Sequence, residues 1–322
     1  MISRVADGLF WLGRYLERAE SSARVLLVTR NLALDGELAP RQVWQPAVVV
    51  SGEEEAFRAR YGEQGLEGAE RVQEHLTWEP SASSIAQAVG AARENARSVR
   101  EAISLETWEA VNELHLWLGR EGRAEYAGDR HGFYRRIRQS VQLCLGVVHG
   151  TMLHDDAFDF ILLGVMLERA GQTARILDVH HHALLQMPAH QVVETALWLA
   201  LLRACSGFEP FMKRFQGRVS GGTVARFLLL DGRFPRSVCH CLHGAASRLA
   251  RLSSPGEGRG RSLGRLRELE AWVLDEGGPA AESGQLHGLL TRVVDETHAI
   301  CDEIGRELLG HPPPAVAAGT SQ

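Results

Sequence analysis

Two stretches of this chain repeat one another, and that repeat constrains the fold more than any other feature. Residues 12–28 read LGRYLERAESSARVLLV and residues 163–179 read LGVMLERAGQTARILDV, ten identities in seventeen aligned positions at an offset of 151 in a chain of 322. An offset near half the length predicts two helical halves related by duplication, about 1–150 and 151–310, each with one Glu-Arg helix and together one domain over 1–310. Elsewhere apolar residues recur mostly at helical spacing, and no series of alternating β-branched runs joined by hairpin turns is present. The expected class is all-α, a multi-helix bundle. Its helices are expected over about 3–33, 85–120, 128–150, 156–185, 190–215, 235–252, 262–275 and 283–310. The segment 35–84, with Pro40, Pro46 and Pro80, reads as loops and short helices or an insertion against the bundle. Residues 253–264 read as a flexible connection whose glycines follow no predicted strand, so they do not announce a phosphate loop. The tail 311–322 is expected to be disordered.

Composition narrows the function classes. With 45% hydrophobic and 23% charged residues the chain has the balance of a soluble globular protein, and a formal charge of −5 argues against a general nucleic-acid binder or a polybasic membrane protein. Lys213 is the only lysine, which excludes a P-loop. The opening residues break their apolar run with Asp7, Arg14, Glu17 and Arg18, so no secretory signal stands there. Five scattered cysteines imply no disulfide framework, and a reduced cytoplasm is the expected location.

Glu17 and Arg24 are seven residues apart, which puts them on nearly one helix face two turns apart; Glu168 and Arg175 repeat that spacing. Ala19 and Ala23, with Ala170 and Ala174, give an adjacent face that another helix can approach closely. Charges beside such a face need opposite charges or a ligand to offset desolvation. One reading is a structural network in which Glu17 and Glu168 pair with Arg175 and Arg24, or with Arg18 and Arg169. Another is a pocket holding a phosphate, a carboxylate or both ends of an amino acid. A third makes Glu17 or Glu168 a catalytic base and Arg24 or Arg175 the stabiliser of developing charge. The candidate substrate-binding residues are Arg14, Glu17, Arg18, Arg24, Glu168, Arg169, Arg175 and Asp178.

Other constellations carry weaker signals. Asp178 with His181 and Asp295 with His298 form acid-x-x-His pairs that, with Glu17 and Glu168, could hold two metal ions in a bundle. Cys239 and His243 are an incomplete zinc set, and Cys144 lies among apolar neighbours as an inert thiol. Asp155 or Asp156 is expected to cap the second repeat helix; alternatively His154, Asp155 and Asp159 line the pocket mouth as acid-base groups. Arg236 either faces the pocket or solvates a helix end.

The stretches LGRYLERAESSARVL and LGVMLERAGQTARILD, followed by FLLLDGRFPRSVCHCL at 227–242, resemble the signature stretches of the bacterial alpha-E family, a helical domain of unknown function named for its ER motif. In the second repeat Val165 replaces the arginine that Arg14 supplies in the first. The resemblance implies a circularly permuted ATP-grasp partner, sometimes fused, and a transglutaminase-like companion. It thereby implies a role in peptide synthesis or modification, with a peptide or amino-acid-like substrate. ATP and magnesium would then belong to the partner, with no cofactor in this chain.

Overall fold

Apolar periodicity becomes helix along nearly the whole chain. In this computed structural model residues 1–34, 38–80, 83–185, 191–216, 219–252, 260–283 and 285–312 are described, without the side chains of 182–185 and 191–193. Among them are fifteen α-helices and no strand. The first part of the chain forms α1 (Ser3–Leu34), α2 (Pro40–Ser51), α3 (Glu54–Tyr61), α4 (Ala69–Trp78), α5 (Ile85–Ser98), α6 (Leu105–Arg120), α7 (Gly122–Gly128) and α8 (Arg130–Thr151). The second forms α9 (Asp156–Leu185), α10 (Gln191–Ala204), α11 (Phe208–Phe215), α12 (Gly221–Leu230), α13 (Val238–Leu252), α14 (Gly260–Glu282) and α15 (Leu286–Leu308).

The repeat-bearing helices α1 and α9 pack on each other at the centre. α5 and α8 flank α1, and α13 and α15 flank α9. The closest approach is made by the glycine of each LG pair. A Cβ on Gly13 would overlap the Ile161 carbonyl, and one on Gly164 would overlap the Phe10 carbonyl. Two backbones this close exclude any side chain between them, which is why glycine stands mid-helix despite its entropic cost. Ala19, Ala23, Ala170 and Ala174 are fully buried, as their spacing predicts, but the crossing itself rests on the glycines.

Two expected helices are interrupted. The span 85–120 divides where Ser104 starts a new helix, its hydroxyl accepting from Thr107 N at 3.1 Å, a local bond that competes with helix continuation. The span 190–215 divides at Ser206, whose φ of 55° is left-handed. The helix expected over 262–275 runs on through Pro279 to Glu282. Among the described residues of 35–84 the chain forms three short α-helices and the 3₁₀ helix Glu63–Glu67, and α2 packs on both α1 and α9. Pro40 opens α2, and Gly52 closes it with a φ of 77°. The tail expectation for 313–322 and most of the 253–264 connection lie outside the described residues. Among the described residues no helix is long and apolar enough to cross a membrane.

Candidate functional site

The two repeat helices exchange ion pairs. Glu17 of α1 accepts from Arg169 of α9, Nε to Oε1 at 3.0 Å and Nη2 to Oε2 at 2.7 Å. Glu168 of α9 accepts from Arg18 of α1, Nε to Oε1 at 2.9 Å and Nη2 to Oε2 at 3.0 Å. Each glutamate is thus gripped by the arginine that follows the other glutamate. Such fork-on-fork pairs fix orientation as well as charge. Each also receives a second arginine: Arg14 reaches Glu168 at 2.8 Å, and Arg236 reaches Glu17 at 2.7 Å.

The two carboxylates nevertheless sit in different surroundings. Glu17 is 0% exposed. Around it Arg236 also bonds Glu20 at 2.8 Å, Arg24 pairs with Glu20 and meets the Ser206 hydroxyl, and Gln142 and Arg138 of α8 approach the same Glu20 at 3.3 and 3.8 Å. Among the described residues no side chain that bonds Glu17 also bonds Glu168. Glu168 instead borders an open cavity of about 260 Å³, whose wall includes Arg14, Arg18, Arg175, Gln172 and His298. The expected single pocket with two arginines and two glutamates is therefore two sites. Of the two expected pairings the one with Arg18 and Arg169 forms, while Arg24, roughly 10.5 Å from Glu17 along the helix axis, pairs with Glu20. Residues four apart are the ones that meet.

Arg175 is the exception among these cations. Its only hydrogen bond among the described residues is from Nη2 to His298 Nε2 at 3.2 Å. A guanidinium can only donate, so His298 accepts at Nε2 and its ring is neutral. Burial, then the neighbouring Arg175 and Arg14, push the His298 pKa down. Burial likewise pushes the Arg175 pKa down, with Arg18 and Arg14 adding to it and Glu168 and, less, Asp295 opposing. The cavity wall therefore carries more positive charge than Glu168 neutralises.

Comparison with known proteins fits this geometry. A family model described as "Alpha-E: A predicted alpha-helical domain with a conserved ER motif" matches residues 1–309. This chain belongs to the Alpha-E family. The ER dipeptides of its two repeats are Glu17-Arg18 and Glu168-Arg169, the four residues that exchange partners. The uncharacterized protein Mb2597 of Mycobacterium bovis is 28% identical over 258 residues, covering 74% of this chain and 28% of that protein. The uncharacterized protein Rv2567 of Mycobacterium tuberculosis is 27% identical over 258 residues, with the same 74% and 28% coverage. The Alpha-E chain thus spans only about 28% of the length of these relatives. No solved structure matches it.

Other sequence candidates of the Alpha-E chain fall elsewhere. Asp178 pairs with His287 at 2.7 Å, a partner the metal reading did not include. His298 pairs with Arg175 rather than with Asp295, and among the described residues no group of three or more metal-ligating side chains occurs. Asp155 caps α9, accepting from Ala157 N at 3.0 Å. Asp159 is clamped by Arg248 at 2.8 Å and Arg251 at 2.7 Å, and His154 stacks on Phe158. Asp159 thereby ties α9 to α13, and none of His154, Asp155 and Asp159 lines the cavity wall, so they are not its mouth. All five cysteines are buried and free, including Cys144 and Cys239.

Arg236, for which the sequence allows either a pocket face or a helix end, faces Glu17. Glu20, Arg138, Gln142 and Ser206 join the same cluster without being among the sequence candidates. Glu20 had a signal, since Glu20 and Arg24 have the four-residue spacing of a helical ion pair. Arg138 and Gln142 had none, because nothing local says which helix α8 faces.

The ion pairs set a pH dependence in the Alpha-E chain. Burial alone would raise the Glu17 pKa, but Arg169 and Arg236 outweigh it and hold it well below the usual range; Arg14 and Arg18 do the same for Glu168. A carboxylate whose folded pKa is depressed contributes stability above its unfolded value, about 4.3, and loses it as pH falls through the folded value. The urea midpoint is expected to change little from these groups between pH 7 and 5 and to fall steeply below about pH 4. The fall should be smaller in Glu168→Gln, and an identical acid profile in that variant would contradict the assignment.

Proposed function

We propose that this chain is a substrate-binding or accessory component of a peptide synthesis or modification system. It works in the cytoplasm with a circularly permuted ATP-grasp protein, and its own task is to hold an anionic group in the cavity beside Glu168. The observation that carries the binding role is Arg175, a partly buried guanidinium on a cavity wall with no carboxylate partner among the described residues. A buried charge in that position gains most from an incoming anion. The partner rests on the resemblance, and it agrees with relatives in which the matched region is a small part of a longer chain.

The two glutamates divide the work. Glu17, sealed from water with both oxygens paired, is a registry device between α1 and α9. Glu168 orients Arg14 and Arg18 at the cavity. Neither suits a general base, which needs a pKa near the working pH, whereas both are held far below it. The repeated sequence and the exchange of partners between α1 and α9 support an origin by duplication, with one end open to ligand and the other filled by Arg236 and Glu20.

The test is purification of the tagged chain from its source, beside Arg175→Gln, with mass spectrometry of both proteins and small molecules. The ATP-grasp protein is expected with both samples, and an anionic small molecule with wild type alone. Absence of the ATP-grasp protein from both samples would remove the partner assignment, and equal small-molecule content would remove the cavity.

A further inference from the structure

We infer that the anion held beside Glu168 is a phosphoryl group, the headgroup of a phosphate monoester rather than a carboxylate. This rests on the anionic-ligand reading above and narrows it. The cavity wall carries three guanidiniums, Arg14, Arg18 and Arg175, against one carboxylate, Glu168, and its histidine is neutral. The difference, three less one, is two positive charges. Asp295 on the same helix as His298 is exposed to water and its charge is correspondingly screened. A carboxylate would leave one of the two charges uncompensated, whereas a phosphate monoester brings about −1.5 to −2 at neutral pH.

The arrangement of donors agrees with the charge. Glu168 occupies the Nε and Nη2 edges of both Arg14 and Arg18, leaving the Nη1 of each. Arg175 comes from α9, opposite these two on α1. Ser22 of α1 and Ser83, just before α5, add hydroxyls to the wall. The Ser51 and Thr297 hydroxyls, also on the wall, already donate to the carbonyls of Val48 and Val293. The available donors thus stand on separate elements around a volume. A carboxylate presents two oxygens in one plane, whereas the three phosphoryl oxygens point in different directions and can each meet a different wall. At about 260 Å³ the cavity is smaller than the roughly 300–1,000 Å³ of pockets that swallow a whole drug-sized ligand. It takes a headgroup and leaves the rest of the molecule outside. Seating the anion requires Arg175 to exchange its weak acceptor, the His298 ring, for a charged one.

Calorimetric titration of the full chain with phenyl phosphate, inorganic phosphate and benzoate tests this. Phenyl phosphate is expected to bind about tenfold or more tighter than benzoate, and Arg175→Gln to lose about tenfold or more of that affinity. Arg175→Lys, which keeps the charge but not the fork, is expected to fall between them. It serves as the deciding variant if circular dichroism shows Arg175→Gln unfolded. Phenyl phosphate binding more tightly than inorganic phosphate identifies an esterified ligand, while inorganic phosphate binding more tightly overturns the monoester assignment and leaves a free-phosphate site. Benzoate binding as tightly as phenyl phosphate overturns the phosphoryl inference but leaves the anionic reading intact. Binding of none of the three overturns both. Undiminished binding in folded Arg175 variants moves the site elsewhere.

Discussion

Glu17→Gln is expected to destabilise the fold by about 3–5 kcal/mol, the usual cost of removing one partner from a buried ion pair. The carboxylate is 0% exposed and satisfies Arg169 and Arg236 together. An amide of the same shape keeps one acceptor oxygen but leaves two guanidiniums in a site whose remaining acid, Glu20, is already shared with Arg24. Glu168→Gln is expected to cost less, because its partners Arg14 and Arg18 border a cavity that admits water and counter-ions. Urea unfolding of both variants at pH 7 measures the order. Equal losses, or a loss below about 1 kcal/mol for Glu17→Gln, would show that the network contributes no more than surface pairs do.

Gly13→Ala is the second large effect. In an exposed helix, alanine for glycine stabilises by about 1 kcal/mol. Here the added methyl would overlap the Ile161 carbonyl, a backbone atom that cannot rotate away. The substitution must push α1 and α9 apart, with a net loss of about 1–3 kcal/mol or more, as overpacking of a tight core gives. Gly164→Ala meets the Phe10 carbonyl in the same way. Once one alanine has opened the crossing, the second has less left to disturb. The double variant should therefore lose measurably less than the sum of the two single losses. Strict additivity would mean that the two glycines do not share one contact. Widening this crossing also lengthens the Glu17–Arg169 and Glu168–Arg18 pairs, so both alanine variants should weaken anion binding at the cavity.

Much of this protein is legible in the sequence because it rests on local rules. Helical spacing of apolar residues gives the all-α class, and the ends of α1, α8 and α9 fall within a few residues of expectation. The breaks at 99–104 and 205–207 are less legible. Ser104 and Ser206 are compatible with a helix interior as well as with a break, and only the packing of neighbouring helices decides between the two. The repeat identifies Glu17, Arg18, Glu168 and Arg169 as a set. It also contains Gly13 and Gly164 at the same offset, a signal of close backbone approach.

The pairing within that set was one of two the sequence allowed: Arg169 and Arg18 hold Glu17 and Glu168, and the alternative with Arg175 and Arg24 does not form. Spacing could not choose between them, because the partner of Glu17 comes from another helix 152 positions away. Arg236 arrives from further still, 219 positions along the chain. By itself the sequence marked Glu17, Arg24 and Glu168 as charges beside an apolar helix face that must be covered, and all three are buried. Only the tertiary structure decided which of those charges are cancelled and which are left over. Glu17 was closed by Arg236 and Glu20, while beside Glu168 the walls of α1, α9 and α15 stand apart and leave Arg175 with a neutral histidine. The reason is physical. Burial follows from local composition, but the neutralisation of a buried charge depends on long side chains converging from distant parts of the chain, and no local pattern encodes that convergence.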